Sequence, residues 1–237
     1  MRRPVRRPAL LALVAVPALA LLGQVPAQAH GQEDVATCLG STPTITVTSS
    51  TKGRVVNGTP GDDVILVTGR ARVIKAGAGN DIICGSPGSD VIQAGDGDDT
   101  VAAGKGNDTV SGGAGADTLD GEKGNDRLLG GDGDDVLKGG PGNDRLLGGA
   151  GGDQLFGQAG HDRLWGQDGA DTLDGGEGRD WLWGEAGVDV LTGGLGRDHL
   201  NGGRGKDKVR AGAEDHRVKD RADSVTRDSD DSKTVAS

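Results

Sequence analysis

The sequence has almost no aromatic residues: it contains no Tyr, one Phe and three Trp, against 46 Gly in 237 residues. Packed globular interiors draw on large aromatic and aliphatic side chains, so this composition excludes an ordinary globular core. Glycine is nevertheless well short of one residue in three, which excludes a collagen-like triple helix. Only aliphatic side chains remain to fill an interior.

Long apolar runs are absent outside the N-terminus. The run from Ala9 to Leu22 follows four arginines and precedes Ala27-Gln28-Ala29. At about 14 residues it is shorter than the roughly 20 that a membrane-spanning helix needs. We therefore interpret residues 1–29 as a secretory signal peptide and predict an extracellular protein, with a retained membrane anchor as the alternative.

The chain is acidic, and this narrows the class of partner. Removing residues 1–29 takes away four arginines and no acid, so the formal charge moves from −10 to about −14. A strongly negative chain disfavours nucleic acid and favours cations as partners.

Catalytic motifs are missing as well. The sequence has no His-Glu-x-x-His, no Gly-x-Ser-x-Gly and no phosphate-binding P-loop, so we predict neither a catalytic site nor an organic cofactor. Two cysteines, Cys38 and Cys84, occur in a chain predicted to be secreted. They predict one disulfide, with two free thiols as the alternative.

The dominant feature is a nine-residue pattern, Gly-Gly-x-Gly-x-Asp-x-Leu-x, seen clearly in residues 130–138. Units start at residue 58 and at every ninth residue to 202, so seventeen consecutive units fill residues 58–210. The fourth position is Gly and the sixth is Asp in sixteen units, and the eighth is Ile, Val or Leu in all of them. The exception is unit 67–75, which has Arg70 and Arg72 instead. A short fixed period indicates a solenoid.

Each unit divides into a six-residue turn and a three-residue strand. Glycines allow the positive φ angles of a tight turn, and in x-Leu-x the middle side chain points away from its neighbours. Two units then make one flattened turn of eighteen residues, and successive turns stack as parallel strands about 4.8 Å apart. The sequence predicts an all-β solenoid with two short strands per eighteen-residue turn.

Stacking aligns the sixth-position aspartates into two columns, because equivalent positions recur every eighteen residues. The first rail comprises Asp63, Asp81, Asp99, Asp117, Asp135, Asp153, Asp171, Asp189 and Asp207; the second rail comprises Asp90, Asp108, Asp126, Asp144, Asp162, Asp180 and Asp198. Carboxylates at this spacing repel by about 0.9 kcal/mol in water, and by more when desolvated. The rails therefore predict bound cations.

The donor set indicates which cation. Carboxylates and turn carbonyls are hard oxygen ligands, and no Cys or His recurs in the repeat, so we predict Ca²⁺. Nine aspartates in one rail and seven in the other leave eight and six intervals, a maximum of about 14 ions. The alternative is that the aspartates only stabilise turns through hydrogen bonds to the backbone.

In these residues the chain resembles the repeats-in-toxin (RTX) nonapeptide, Gly-Gly-x-Gly-x-Asp-x-U-x with U a large aliphatic residue. The resemblance covers residues 58–210 and implies a right-handed parallel β-roll that is stabilised by calcium ions between stacked turns. The whole chain looks like the short secreted calcium-binding proteins of bacteria. The departure at unit 67–75 implies a gap in the second rail.

The flanks complete the predicted organisation. Residues 30–57 form a lead-in or cap, in which the repeat frame, extended backwards, places Val47 and Val56 in the inward column. Residues 211–237 form a degenerate repeat and a charged tail that we expect to be disordered, with a capping role as the alternative.

An outward-facing ladder goes beyond the repeat itself. The ninth position carries Leu129, Leu147, Trp165 and Trp183 in consecutive turns, beside a column of Arg127, Arg145, Arg163 and Trp181. These side chains either stack on one another or form a patch for self-association, a glycan or another surface. We predict a secreted calcium-binding repeat protein that folds on binding Ca²⁺, with an adhesin or ligand-binding module that uses the ladder as the alternative function.

Overall fold

The computed structural model describes residues 38–47, 55–69, 72–212, 217–218 and 224–227. The predicted signal peptide lies outside these residues. Within them every regular element is a β-strand, and none is a helix. The strands are β1 Ile45–Val47, β2 Val55–Asn57, β3 Val64–Val67, β4 Val73–Ala78, β5 Ile82–Cys84, β6 Val91–Asp96, β7 Thr100–Ala102, β8 Thr109–Ala114, β9 Thr118–Asp120, β10 Arg127–Asp132, β11 Val136–Gly142, β12 Arg145–Ala150, β13 Gln154–Gly160, β14 Arg163–Asp168, β15 Thr172–Gly178, β16 Trp181–Ala186, β17 Val190–Gly196, β18 His199–Arg204, β19 Lys208–Ala211, β20 Arg217–Val218 and β21 Ser224–Arg227.

The strands form two parallel sheets. The odd-numbered strands make an eleven-stranded sheet and the even-numbered strands a ten-stranded sheet, each in chain order. Through the repeat, partners lie eighteen residues apart, as in Leu137 with Leu155. The chain thus visits the two sheets alternately and adds one strand to each per turn. The predicted all-β solenoid with two strands per eighteen-residue turn is confirmed.

The core is a double column of aliphatic side chains between the sheets. Every eighth-position residue of the seventeen units, from Ile65 to Val209, is at most 2% exposed. Because side chains alternate along a strand, the seventh and ninth positions point outward when the eighth points inward. This alternation decides which residues of the repeat reach the surface of each sheet.

The lead-in supplies the first turn, with one difference from the predicted frame. Val56 pairs with Ile74 and is buried, as expected. In β1, however, Ile45 pairs with Ile65 and Val47 pairs with Val67. The placement of Val47 in the inward column is therefore wrong: these partners are 20 residues apart, so two additional residues between β1 and β3 move Ile45 into that column.

A disulfide joins the lead-in to the outer face of the eleven-stranded sheet. Cys38 bonds to Cys84 across 46 residues of sequence, and Cys38 is fully buried. The predicted bridge is confirmed and the free-thiol alternative is wrong. Leu66, the strand partner of Cys84, occupies an outward position but is only 9% exposed.

The sheets continue past residue 210. Val218 of β20 pairs with Leu200, eighteen residues earlier, and β21 pairs with β19. The domain boundaries at residues 29, 57 and 210 remain predictions. Among the described residues no helix has the length and hydropathy to cross a membrane.

Candidate metal centre

The two aspartate rails run along the turns that connect the sheets. All sixteen predicted aspartates are buried, with exposures of at most 5%. Their position follows from the repeat, because each sixth-position residue immediately precedes the strand whose middle side chain enters the core. The structure thus brings every predicted site residue into one of two continuous columns of carboxyl groups.

In most rail residues one carboxylate oxygen accepts a backbone hydrogen bond from the turn before it. In fourteen of the aspartates Oδ1 accepts from the backbone N–H of the aspartate eighteen residues earlier, at 2.7–2.9 Å. These bonds fix the orientation of each carboxyl group. They also account for the alternative role in turn stabilisation, but they use only half of each carboxylate.

The second carboxylate oxygen, Oδ2, has no hydrogen-bond partner in most of the described rail residues. Within the described residues, Oδ2 is buried and accepts no hydrogen bond in Asp81, Asp99, Asp108, Asp117, Asp126, Asp135, Asp144, Asp153, Asp162, Asp171 and Asp189. Buried polar atoms are nearly always hydrogen-bonded, and an unpaired buried charge costs several kcal/mol or more. A regular row of such oxygens indicates a missing positive partner.

The first-position glycines leave room beside these oxygens. A methyl group at Gly130 would lie 2.2 Å from Oδ2 of Asp135 and 2.6 Å from the carbonyl oxygen of Gly148. Two oxygen donors from successive turns thus converge where a side chain would otherwise stand. Gly112 and Gly148 have the same relation to Asp117 and Asp153, at 2.1 and 2.2 Å.

Burial changes the acid strength of the rails. Desolvation raises the pKa from 3.8 to about 6 for Asp99, Asp126, Asp135 and Asp189, and to about 7 for Asp108, Asp117, Asp144, Asp162 and Asp171. The backbone hydrogen bonds oppose this increase, and neighbouring carboxylates add to it. Without a cation, much of each rail would bind protons near neutral pH.

The donor set fits a hard cation. Carboxylate and carbonyl oxygens are the ligands of Ca²⁺, which accepts six to eight of them in flexible geometry. Among the described residues, no three Asp, Glu, His or Cys side chains cluster around one point. Each ion would therefore use rail carboxylates together with main-chain carbonyl oxygens of the glycine turns.

The first aspartate of each rail is different, because the protein satisfies both of its oxygens. Asp63 Oδ2 accepts from Thr59 N–H at 2.6 Å and Thr59 Oγ1–H at 3.0 Å, and its Oδ1 accepts from Thr44 Oγ1–H at 3.3 Å. Asp90 Oδ2 likewise accepts from Ser86 N–H and Oγ–H, at 2.7 and 2.8 Å. In these two turns a hydroxyl group thus donates to the Oδ2 atom that has no such donor in most later turns of the described chain.

The predicted gap in the second rail is filled by Arg72. This residue stands at the sixth position of unit 67–75, is 2% exposed, and donates its backbone N–H to Asp90 Oδ1. The second rail therefore starts with a buried cationic side chain where the other units have an acid.

A second row of hydrogen bonds, on the solvent side of the rails, was not predicted from the sequence. At the fifth position of the second edge, Asn125, Asn143 and His161 each donate a backbone N–H to the side-chain acceptor eighteen residues earlier. His161 Nδ1 in turn accepts from Arg179 N–H at 2.9 Å. The signal was the recurrence of Asn at one variable position, in residues 107, 125 and 143.

The outward ladder forms as predicted in register. Leu129, Leu147, Trp165 and Trp183 align in neighbouring strands of the ten-stranded sheet. The indoles of Trp165 and Trp183 stack with centroids 4.9 Å apart, and Trp181 stacks on His199 at 3.9 Å. These side chains therefore pack on one another while remaining partly exposed.

Comparison with protein-family models gives one match, which is described as the RTX calcium-binding nonapeptide repeat (4 copies). It recurs in overlapping segments at residues 57–92, 93–128, 120–155, 129–164, 147–182, 165–200 and 183–215. The matched residues include every unit of the repeat and both rails. No curated protein matches the chain.

Proposed function

The chain belongs to the RTX calcium-binding nonapeptide repeat family, whose model matches about two thirds of its length. From this family membership we propose a function for the β-roll. It is a calcium-binding repeat protein. We propose that it is secreted and non-enzymatic, that its β-roll folds on binding Ca²⁺, and that the sixteen rail aspartates provide carboxylate ligands for up to about 14 ions.

The unpaired Oδ2 atoms carry this proposal. Among the described residues they recur in consecutive turns, at seven aspartates of the first rail and four of the second. A stacked row of desolvated carboxylates opposes folding, since each neighbour raises the cost of ionising the next. Calcium, when bound, supplies the positive charge that offsets this repulsion.

Three groups of residues have different functions around each proposed ion. Backbone N–H groups hold Oδ1, so Oδ2 has a fixed direction before any ion arrives. First-position glycines keep the adjacent space free of side chains. The core column then stacks each turn on the last, which couples ion binding to strand pairing.

An extracellular location fits both the predicted signal peptide and the family, whose repeats are typical of secreted bacterial proteins. Calcium sites of extracellular modules have dissociation constants of about 10⁻⁴ to 10⁻³ M. At such affinities the chain would remain unfolded in calcium-poor cytoplasm and fold after export. The role that we propose for the folded roll is structural or surface-binding.

A calcium titration followed by far-UV circular dichroism tests the proposal. The mature chain in EGTA should lose most of its β signal and regain it as calcium is added. Asp135→Asn should raise the calcium concentration at the midpoint, because it removes a rail charge. Asp134→Asn is the matched control: Asp134 is exposed, and Asn retains the Oδ1 that accepts Gly152 N–H.

Two results would contradict the proposal. One is a far-UV spectrum that is the same in excess EGTA and in calcium. The other is a calorimetric titration in which the folded chain takes up no calcium. Equal effects of the two asparagine substitutions would contradict the assignment of the rails as ligands.

A second candidate function is contact with another molecule through the outward ladder. The observation that favours it is the partly exposed stack of Trp165 and Trp183 beside the exposed guanidiniums of the neighbouring column. Self-association and glycan binding both remain proposals at this level. The chemistry of the surrounding face distinguishes between them.

A further inference from the structure

Two outward columns of the ten-stranded sheet carry only positive charge, in contrast to the chain as a whole. From Val73 to Asn201 these seventh- and ninth-position side chains include no acid, although the whole chain carries a net charge of −10. The seventh-position column is Val73, Val91, Thr109, Arg127, Arg145, Arg163, Trp181 and His199; the ninth-position column is Lys75, Gln93, Ser111, Leu129, Leu147, Trp165, Trp183 and Asn201. The outer face of the other sheet, by contrast, includes Asp120 and Asp174.

Three arginines form the centre of this face. Arg127, Arg145 and Arg163 pair in register in consecutive strands, and all three are exposed. In the described part of the chain, no carboxylate forms an ion pair with them. Guanidiniums at the strand spacing of about 4.8 Å repel one another, so a ligand with negative groups would relieve this repulsion.

An apolar strip and a groove adjoin the arginine column. Leu147 and the indole of Trp165 are half-buried on the next outward column. Together with the three arginines, Gln167 and Glu185, they line a shallow groove of about 480 Å³. The groove therefore combines a cationic side, an apolar side and two hydrogen-bonding side chains.

Gln167 and Glu185 are held in an unfavourable backbone conformation. They occupy the second position of their units, where neighbouring turns have Gly131, Gly149 and Gly203. Their φ angles are 82° and 76°, in the left-handed region that costs a non-glycine residue about 1–2 kcal/mol. Strain of this kind clusters at binding sites. Here it places an amide and a carboxylate in the groove.

We propose that this groove binds a linear polysaccharide that carries carboxylate groups. The planar guanidinium fork matches a carboxylate in two parallel hydrogen bonds, and its recurrence in every turn suits a polymer with repeating negative groups. Leu147 and the edge of Trp165 contact the apolar side of a sugar ring. Gln167 and Glu185 pair with hydroxyl groups, which both donate and accept hydrogen bonds.

The same observations disfavour two other occupants. Nucleic-acid bases need open aromatic faces, whereas Trp165 and Trp183 cover one another at 4.9 Å. A second copy in a two-fold contact would place one arginine column against the other, because the same patch meets itself.

This inference rests on the calcium-dependent fold proposed above, and the test keeps the two apart. Hyaluronate, a linear polysaccharide with regularly spaced carboxylates, is titrated into the mature protein at a fixed saturating calcium concentration. All three tryptophans lie on this face, so intrinsic fluorescence reports binding directly. Replacing Arg127, Arg145 and Arg163 with Ser should weaken binding by about tenfold or more.

The matched control removes three cations from the other sheet. Lys138, Lys208 and Arg210, replaced with Ser, should leave the dissociation constant within about twofold of the parent value, although the loss of net charge is the same. Gln167→Gly should weaken binding while raising the unfolding free energy, a combination that a purely structural residue would not give. If the triple arginine variant does not fold, Arg145→Ser alone serves in its place.

Each contrary outcome has a distinct meaning. A parent protein without β signal in calcium contradicts the calcium proposal. A folded parent that does not bind hyaluronate, or arginine variants that bind it as well as the parent, overturns this one. Equal binding of neutral dextran would overturn the requirement for carboxylates, and equal binding of single-stranded DNA would show a surface for polyanions in general.

Discussion

Residues 58–111 and residues 112–201 are built on one repeat but stabilise it by different means. The inward column is Ile or Val in the first segment and Leu in the second. The first position is Ala in three of the six units of the first segment, whereas it is Gly in every unit of the second. The first segment also has the hydroxyls of Thr59 and Ser86 and the disulfide from Cys38.

The difference indicates that the first segment depends less on calcium. Ile and Val favour strands, and the buried methyl groups of Ala76, Ala94 and Ala103 fill space that glycine leaves open. In the first segment Asp63 and Asp90 have protein partners for both oxygens, while Asp81, Asp99 and Asp108 have an unpaired Oδ2; in the second segment Oδ2 is unpaired, among the described residues, in eight rail aspartates. We infer that the N-terminal turns are a stable start on which later turns assemble.

The largest expected effect concerns hydrogen exchange after calcium is removed. In EGTA, the amides of β11 to β19 should lose nearly all protection, while those of β3 to β6 retain at least about tenfold more, because local stability follows local contacts. Hydrogen–deuterium exchange with mass spectrometry measures both segments in one sample. Uniform loss of protection along the chain would remove the distinction between them.

Next in size is the response of the calcium-free protein to pH. The folded pKa of rail aspartates such as Asp117 and Asp144 is about 7, above the ordinary 3.8. Between pH 3.8 and about 7 the folded state therefore binds more protons than the unfolded state. The contribution of these protons to the unfolding free energy is fully present below about pH 4 and is lost as pH rises through 6 to 7. Circular dichroism of the stripped protein should show more β structure at pH 4.5 than at pH 7.5. A maximum at neutral pH would contradict this.

Removing the disulfide should act on the first segment. A loop of 46 residues corresponds to about 4 kcal/mol of lost unfolded-state entropy at most. Replacing both cysteines with Ser should therefore lower the unfolding free energy by up to that amount and reduce protection in β3 to β6. The calcium midpoint of the second segment should stay the same. If it shifts equally, the two segments form one cooperative unit.

Exchanging the first-position residue should distinguish the segments again. Gly130→Ala places a methyl group 2.2 Å from Asp135 Oδ2 and should raise the calcium concentration required for folding by about tenfold, or 1.4 kcal/mol. The reverse change in the first segment, Ala94→Gly, should cost about 1 kcal/mol of stability without a higher calcium requirement. Calcium titrations of the two variants make the comparison.

The smallest effect is expected where the second segment is strained. Among the described residues of the repeat, the non-glycine residues with positive φ are Glu122, Gln158, Gln167 and Glu185, and all four lie there. Gln158→Gly should raise the unfolding free energy by about 1 kcal/mol, because glycine adopts φ 76° without steric cost. Gln154→Gly, in an ordinary strand conformation, should lower it by about 0.5–1 kcal/mol. Denaturant unfolding in calcium compares them.

Much of the architecture could be predicted because one translation generates it. The period of nine places every inward aliphatic residue, both sheets and the two rails, and the pairing of Cys38 with Cys84 follows from there being two cysteines. The slip at Val47 could not be read from the period, since two extra residues fall in a segment without the repeat.

Details of the site depend on atoms rather than positions. The repeat predicts where Asp135 stands, but not that Oδ1 is taken by the backbone while Oδ2 is not. The hydroxyl partners of Asp63 and Asp90 were also not predicted. Thr59 begins a Thr-Pro-Gly turn at residues 59–61, and Ser86 begins a Ser-Pro-Gly turn at residues 86–88. A hydroxyl at the second position is an identifiable sign that a turn supplies its own donor.

The regular pairing of each strand with its neighbour eighteen residues away has a further consequence. Within residues 112–201 no turn differs from the others as a capping turn would, so the length of the solenoid depends only on the number of repeats. Duplication or loss of two units in the gene would lengthen or shorten the protein by about 4.8 Å without creating a new kind of junction. Evolution can therefore adjust its reach one step at a time, while leaving the disulfide-bonded end unchanged.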